Sequence, residues 1–295
     1  MIKKIQKIVK IRKNSSITQV FVVKFLGVMT MTFSLHENFE FNGVDIYNEV
    51  ASTSLNKHHS FIEEICLFPE KLQIPKYKNY IKRPRLIEVL EKSSLQFGAT
   101  LVSGRAGTGK TALAAEFADR YKCVAWLSAD SADSQWNIFS AYFSAALENA
   151  GKNEEIKKIN LQQTTPCESE IKNLVENLLE NFCSSATNKP SLIVLDDAHY
   201  IFDAEWFNGF FNSLLYSLSP ETHLLILSRG APSVPLWRLR SKQVLGVVDE
   251  KLLAFDINET RKLFRRHNFS AEAVAEAHSK SFGRISRLEA MAETP

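Results

Sequence analysis

The sequence predicts an α/β fold, a parallel sheet with helices on both faces, followed by the start of a small helical domain. Three observations carry this expectation. Apolar, β-rich runs at 99–102, 123–128, 191–195 and 223–227 alternate with helix-length stretches, the pattern of a parallel sheet with crossover helices. These runs are continuous rather than alternating, as in strands buried on both faces. The first runs directly into Gly104-Arg105-Ala106-Gly107-Thr108-Gly109-Lys110-Thr111, which fits the phosphate-binding pattern G-x-x-x-x-G-K-[ST].

At 295 residues the chain is long enough for one large domain or two smaller ones. Its net charge of +3 is unevenly spread. Residues 1–36 hold seven Lys or Arg and no acid, and residues 37–295 hold 29 basic against 33 acidic residues. That mildly acidic balance argues against nucleic-acid binding. Cys66, Cys123, Cys167 and Cys183 show no metal-ligand spacing and read as buried thiols in a reducing compartment.

The extension 1–36 is basic and then apolar. Ile2, Ile5, Ile8 and Val9 recur at helical spacing, and the run from Val20 to Leu35 is interrupted by Lys24. A leader or poorly ordered extension ranks above membrane association, because an anchor needs about 20 cleaner apolar residues. An internal start at Met29 or Met31 is a third reading. Residues 37–78 form an irregular lead-in, in which His58-His59 reads as solvated surface.

A phosphate-binding domain is expected over 79–255. Pro84 keeps Arg83 out of the α region, and Leu86, Val89 and Leu90 fit one face of a helix. Ala112 to Ala118 are strong helix formers that follow the glycine loop. Trp136, Phe139, Phe143, Ala146 and Leu147 form an apolar stripe begun by Asp133 or Ser134 as cap. Its aromatics read as core rather than as a base-stacking surface. Residues 151–167 read as a loop, Ile171 to Phe182 and Trp206 to Leu215 as helices, and Val244 to Phe255 as a last strand region. Residues 256–295 begin a helical, winged-helix-like lid: Asp256 and Glu259 make a capping box, with short helices from Ile257 and Ser270.

The chemistry sits at strand ends. Gly104, Gly107 and Gly109 let backbone N–H groups wrap phosphate oxygens at a helix N-terminus. Lys110 would reach the β- and γ-phosphates of ATP, and the Thr111 hydroxyl would hold Mg²⁺. The run Ser191 to Leu195 ends in Asp196-Asp197, where an acid would lie beside the phosphate loop. Asp196 would approach Mg²⁺ or its water, and Asp197 would orient or activate the attacking water. Arg229 ends another strand and would sense the γ-phosphate through a charge-assisted hydrogen bond.

The ordered set Arg83-Pro84-Arg85-Leu86, the glycine loop, Val124-Ala125-Trp126-Leu127-Ser128, Leu195-Asp196-Asp197-Ala198-His199, Leu227-Ser228-Arg229 and Arg238-Leu239-Arg240 resembles one family. It is similar to the ATPase domain of the maltose-regulator-like, large ATP-binding LuxR-type transcription activators. These belong to the STAND class of P-loop NTPases, AAA-like in fold. The resemblance covers roughly residues 80–295. It implies an ATP/ADP switch in which the ATP form self-assembles or meets a protein partner and slow hydrolysis resets it. It implies that Arg83 lies by the adenine, that Ala106 and Thr108 belong to the nucleotide loop, and that Arg229 reads the γ-phosphate. Members usually have an aromatic where Thr108 stands, and a Gly-Trp-type signature where Gly283-Arg284-Ile285 stands. They continue into a winged-helix module, a repeat superhelix and a helix-turn-helix. Those parts are expected to lie outside this chain, so it should not bind DNA sequence-specifically by itself.

Two function classes follow. One is a cytoplasmic Mg-ATP-binding switch with weak ATPase activity, favoured by intact Lys110, Thr111, Asp196 and Asp197. The other is a non-catalytic interaction module, or a truncated relic, that keeps the fold. A metabolic kinase ranks third, since no acceptor pocket or lid is legible.

Overall fold

The computed structural model describes residues 6–13, 16–25, 29–34, 64–65, 67–77, 80–150, 159–160, 166–186, 190–265 and 269–293. His58, His59 and Cys66 lie outside them. The chain divides into two units, residues 1–61 and 62–295.

The first unit contains β1 (Gln6–Lys13), β2 (Ser16–Phe25) and β3 (Met29–Ser34), an antiparallel meander with Val9 opposite Val20 and Phe21 opposite Phe33. The helical spacing of Ile5, Ile8 and Val9 therefore does not produce a helix over 6–13. Ile8, Val9, Ile11, Val20, Val22 and Val23 are β-branched, and that residue type favours strands.

In the second unit β4 (Glu64–Ile65) pairs antiparallel with β7 (Ile159–Asn160). The first strand of the main sheet is β5 (Ala99–Ser103), preceded by α1 (Pro84–Gln96) and followed by α2 (Lys110–Ala118). Next come β6 (Cys123–Ser128), α3 (Trp136–Glu148), α4 (Glu168–Ala186), β8 (Ser191–Asp196), α5 (Phe207–Ser217) and β9 (Thr222–Ser228). The chain continues through α6 (Leu236–Ser241) into β10 (Leu245–Val248). The sheet is parallel, in the order β10-β5-β9-β8-β6. Strand β9 thus lies between the loop-bearing β5 and the acid-bearing β8.

Strand residues alternate between two cores. Leu101, Ile193, Leu195, Leu224 and Ile226 face α3, α4 and α5. Val102, Leu192, Val194, Leu225 and Leu227 face Leu86, Ile87 and Leu90 of α1 and Leu113 and Phe117 of α2. Burial on both sides explains why these strands read as unbroken apolar runs. The Trp136–Phe143 stripe is core, as expected: Phe139 stacks on Trp206 at 4.5 Å and meets Phe210 edge-on at 4.8 Å. Truncating such a ring typically costs about 3–5 kcal/mol.

Several boundaries differ from the sequence expectations. Neither Asp133 nor Ser134 caps α3, whose N-cap is Gln135 with no side-chain bond. Asp133 instead closes a capping box with Asp130 around the 3-10 turn Ser131–Ser134. The expected strand region to Phe255 ends at Val248, because the Asp249 carboxylate accepts from Lys251 and Leu252 N–H and starts α7 (Glu250–Leu253). Among the thiols, Cys123 is buried but Cys167 is exposed.

The C-terminal helices are α8 (Ile257–Phe264), α9 (Ala271–Ser281) and α10 (Ile285–Glu293). The Asp256/Glu259 capping box is formed as expected, while α10 was not legible. Phe255, Phe264, Val274, Leu288 and Ala292 make their core. Gly283 sits at φ +71, and a Cβ there would stand 2.4 Å from the Phe255 carbonyl oxygen. The glycine therefore lets α10 fold back beside the segment that leaves β10.

Candidate functional site

The loop 104–109 joins the C-terminal end of β5 to the N-terminus of α2. Gly107 and Gly109 adopt φ of 75° and 77°, a region a side chain would strain. The Thr108 hydroxyl donates to the Arg105 carbonyl at 2.9 Å, which buries it inside the loop. The Lys110 ammonium donates to the carbonyls of Gly104 at 2.6 Å and Arg105 at 3.0 Å. Burial lowers its pKa, against the favourable charges of Asp197 and Asp196.

At the end of β8 the buried Asp196 carboxylate accepts from the Thr111 hydroxyl at 3.3 Å and from the Asp197 N–H at 2.9 Å. Burial, and then the Asp197 charge, raise its pKa to about 6. Asp197 adopts a left-handed backbone, φ 49°. Its carboxylate lies 3.7 Å from Arg229 Nε and 3.6 Å from His199 Nδ1. Because β9 is inserted between β5 and β8, Arg229 stands between the loop and the acid pair. The donors offered by Thr111 and Asp196 are hard oxygens, and among the described residues no cation is paired with the buried Asp196. That set fits Mg²⁺, which takes one or two protein oxygens alongside substrate phosphates. Among the described residues no cluster of three His, Cys, Asp or Glu forms a self-contained metal cage.

A cleft of about 530 Å³ opens at the loop, lined by Arg83, Ala106, Gly107, Gly109, Lys110, Thr111, Asp197 and Arg229. Gly104, Thr108 and Asp196 stand behind that wall. Tyr77, Tyr80, Ile81, Phe255, Leu263, Ile285 and Glu289 also line it. Sequence reasoning missed these, because their side chains meet the loop only through long-range packing. Tyr77 lines the same cleft as Asp197, and burial, then the charges of Asp196 and Asp197, raise its pKa.

Arg83 is buried and engaged on several sides. Its guanidinium donates to the Leu253 carbonyl and, at 3.4 Å, to the Thr108 carbonyl, and lies 3.7 Å from Glu259. It also stands 5.0 Å over the Phe255 ring. Arg85 bonds the carbonyls of Leu252 at 3.1 Å and Ala254 at 3.0 Å. The Arg-Pro-Arg segment therefore clasps the loop to the C-terminal helices. At the other end of the lead-in, Lys71 pairs with fully buried Asp133 at 2.6 Å and with Asp130 at 3.2 Å. Residues 67–77 are thus tied to the domain rather than loose.

Residues 84–227 match the AAA ATPase domain family. The HTH-type transcriptional regulator MalT of Serratia proteamaculans (strain 568) is 30% identical over 199 residues, which is 67% of this chain and 22% of the relative. MalT of Yersinia pestis (strain Pestoides F) is 30% identical over 203 residues, again 67% of this chain and 22% of the relative. The chain therefore spans about a fifth of the length of these curated relatives. A Signal Transduction ATPase with Numerous Domains from Pyrococcus horikoshii, with a tetratricopeptide repeat sensor, superposes with a TM-score of 0.47 at 19% identity. That match covers 77% of this chain and 31% of the other.

Proposed function

This chain carries an AAA ATPase domain at residues 84–227, similar to that of MalT-type regulators, and on that premise we propose that it is a Mg-ATP-binding switch with slow hydrolysis. The observation that carries the reading is the convergence of Lys110, Thr111, Asp197 and Arg229 on one cleft above a helix N-terminus. Loop N–H groups and the α2 dipole favour phosphate there. Lys110 exchanges its loop carbonyls for β- and γ-phosphate oxygens. Thr111 and Asp196 would hold Mg²⁺, which when bound neutralises phosphate charge. Asp197 orients the attacking water and accepts its proton. Arg229 turns from Asp197 to the γ-phosphate, so ATP and ADP leave its guanidinium in different places. Apolar Ile81, Phe255, Leu263 and Ile285 offer the base a dry wall.

Because α10 and the Arg83 clasp touch the loop, the C-terminal helices are the element that the nucleotide would move, as the start of a lid over residues 256–295. Assembly or partner docking in the ATP state, in the cytoplasm where ATP is supplied, follows from the same reading. Among the described residues no helix is long and apolar enough to cross a membrane. Sequence-specific DNA binding is not expected of this chain alone. Calorimetric titration with Mg-ATP and Mg-ADP, followed by a phosphate-release assay, tests the reading. Saturable binding with slow turnover supports it, and binding without turnover would favour the non-catalytic module.

A further inference from the structure

The Asp197 carboxylate lies near two side-chain nitrogens. The same Oδ1 lies 3.7 Å from Arg229 Nε and 3.6 Å from His199 Nδ1, both just beyond hydrogen-bond distance. His199 Nδ1 is buried and has no hydrogen-bond partner. A buried ring nitrogen without a partner is costly, and protonated on Nδ1 it would be satisfied by a carboxylate drawn within reach. The ring packs on Tyr200 with centroids 4.3 Å apart. The turn that carries it is closed by Tyr200 N–H to the Asp197 carbonyl at 3.2 Å and Ile201 N–H to the Ala198 carbonyl at 3.1 Å. These bonds hold the backbone of Asp197 and His199 in one turn.

We propose that His199 is a positioning residue for Asp197: it takes the carboxylate by an Nδ1–H hydrogen bond when Arg229 leaves for the γ-phosphate. The inference rests on the switch reading above. The charged groups that face the ring are Asp197 on its own turn, Arg229 after β9 and Lys110 at the start of α2. Burial lowers the imidazole pKa from its ordinary value, against the charge of Asp197 and with those of Arg229 and Lys110. A neutral ring protonated on Nδ1 is a donor without a competing charge, so it fixes the carboxylate and leaves its other oxygen to the water. His199 does not line the cleft, so its effect passes through Asp197.

The test compares His199→Ala, His199→Asn, Asp197→Asn and the double variant His199→Ala/Asp197→Asn in the full chain with Mg-ATP. His199→Ala should lower kcat on the order of 100-fold, as a mis-set reacting group does, with KM and ADP affinity unchanged. His199→Asn, whose amide N–H stands where Nδ1–H does, should recover most of it. The double variant should be no slower than Asp197→Asn. A kcat within twofold of wild type in His199→Ala, or additive losses in the double variant, overturns the proposal. A second readout needs no turnover. With a non-hydrolysable ATP analogue the imidazole ¹⁵N spectrum should show an exchange-protected Nδ1–H that is absent with ADP and absent in Asp197→Asn. If the wild type binds ATP but never hydrolyses it, the hydrolytic reading fails and this spectrum alone decides the role of His199. Identical spectra with the analogue and ADP would refute it.

Discussion

The Lys110 ammonium donates to the Gly104 carbonyl oxygen at 2.6 Å, so the glycine loop satisfies its own lysine without a phosphate. On the proposed reading, nucleotide binding would exchange two neutral acceptors, the carbonyls of Gly104 and Arg105, for anionic ones. The net gain is a charge-assisted hydrogen bond rather than a wholly new contact.

Lys110→Ala should therefore weaken Mg-ATP binding by about 1.5–3 kcal/mol. Calorimetric titration reads this directly. Equal affinity in wild type and variant would remove Lys110 from the site.

Arg83 is the junction between loop and C-terminal helices. Arg83→Ala removes one of the two cations beside Glu259, whose side chain is 5% exposed, and leaves Arg85 at 3.3 Å. Leaving a buried charge with no partner costs about 3–5 kcal/mol, and with Arg85 still in place the loss should fall below that range. Urea unfolding should show that loss, and hydrogen exchange should place the first loosening in 257–293. Uniform destabilisation with unchanged relative protection of α8 to α10 would contradict the clasp.

The clasp also shows what was legible in the sequence. Strands β5, β6, β8 and β9 were, because burial on both faces leaves unbroken apolar runs. So was the Asp256/Glu259 cap, because both partners lie within one turn. Arg83 was expected at the cleft, but its bond to Leu253 spans 170 positions, and no local pattern encodes such a contact. The same holds for Tyr77, Ile285 and the Lys71–Asp133 pair. The antiparallel strands over 6–34 were missed because a few apolar residues at helical spacing outweighed β-branched content.

Two buried groups set opposite acid responses. His223 is held by the Thr100 hydroxyl at 3.0 Å and the Phe97 carbonyl at 3.2 Å, and burial lowers its pKa from 6.5 to about 4. The unfolded chain takes that proton first, so stability falls as pH drops from 6.5 to about 4, by about 3 kcal/mol. Asp196 runs the other way: its folded pKa of about 6 lies above 3.8, so stability rises as pH falls through 6. Between pH 6 and 4 the wild type should be nearly flat, whereas Asp196→Asn should lose stability steeply. Chemical denaturation across that range checks it. Equal slopes in both proteins would contradict the assignment.

If the site distinguishes ATP from ADP, Arg229 is the residue that does so. A ligand shifts a conformational equilibrium only by its differential affinity for the two states. Parallel calorimetric titrations of wild type and Arg229→Ala with Mg-ATP and Mg-ADP are the measurement. Arg229→Ala should lose much of its ATP affinity, with an ADP change within about 0.5 kcal/mol, as for a surface substitution. Equal losses for both nucleotides, or none for either, would contradict it.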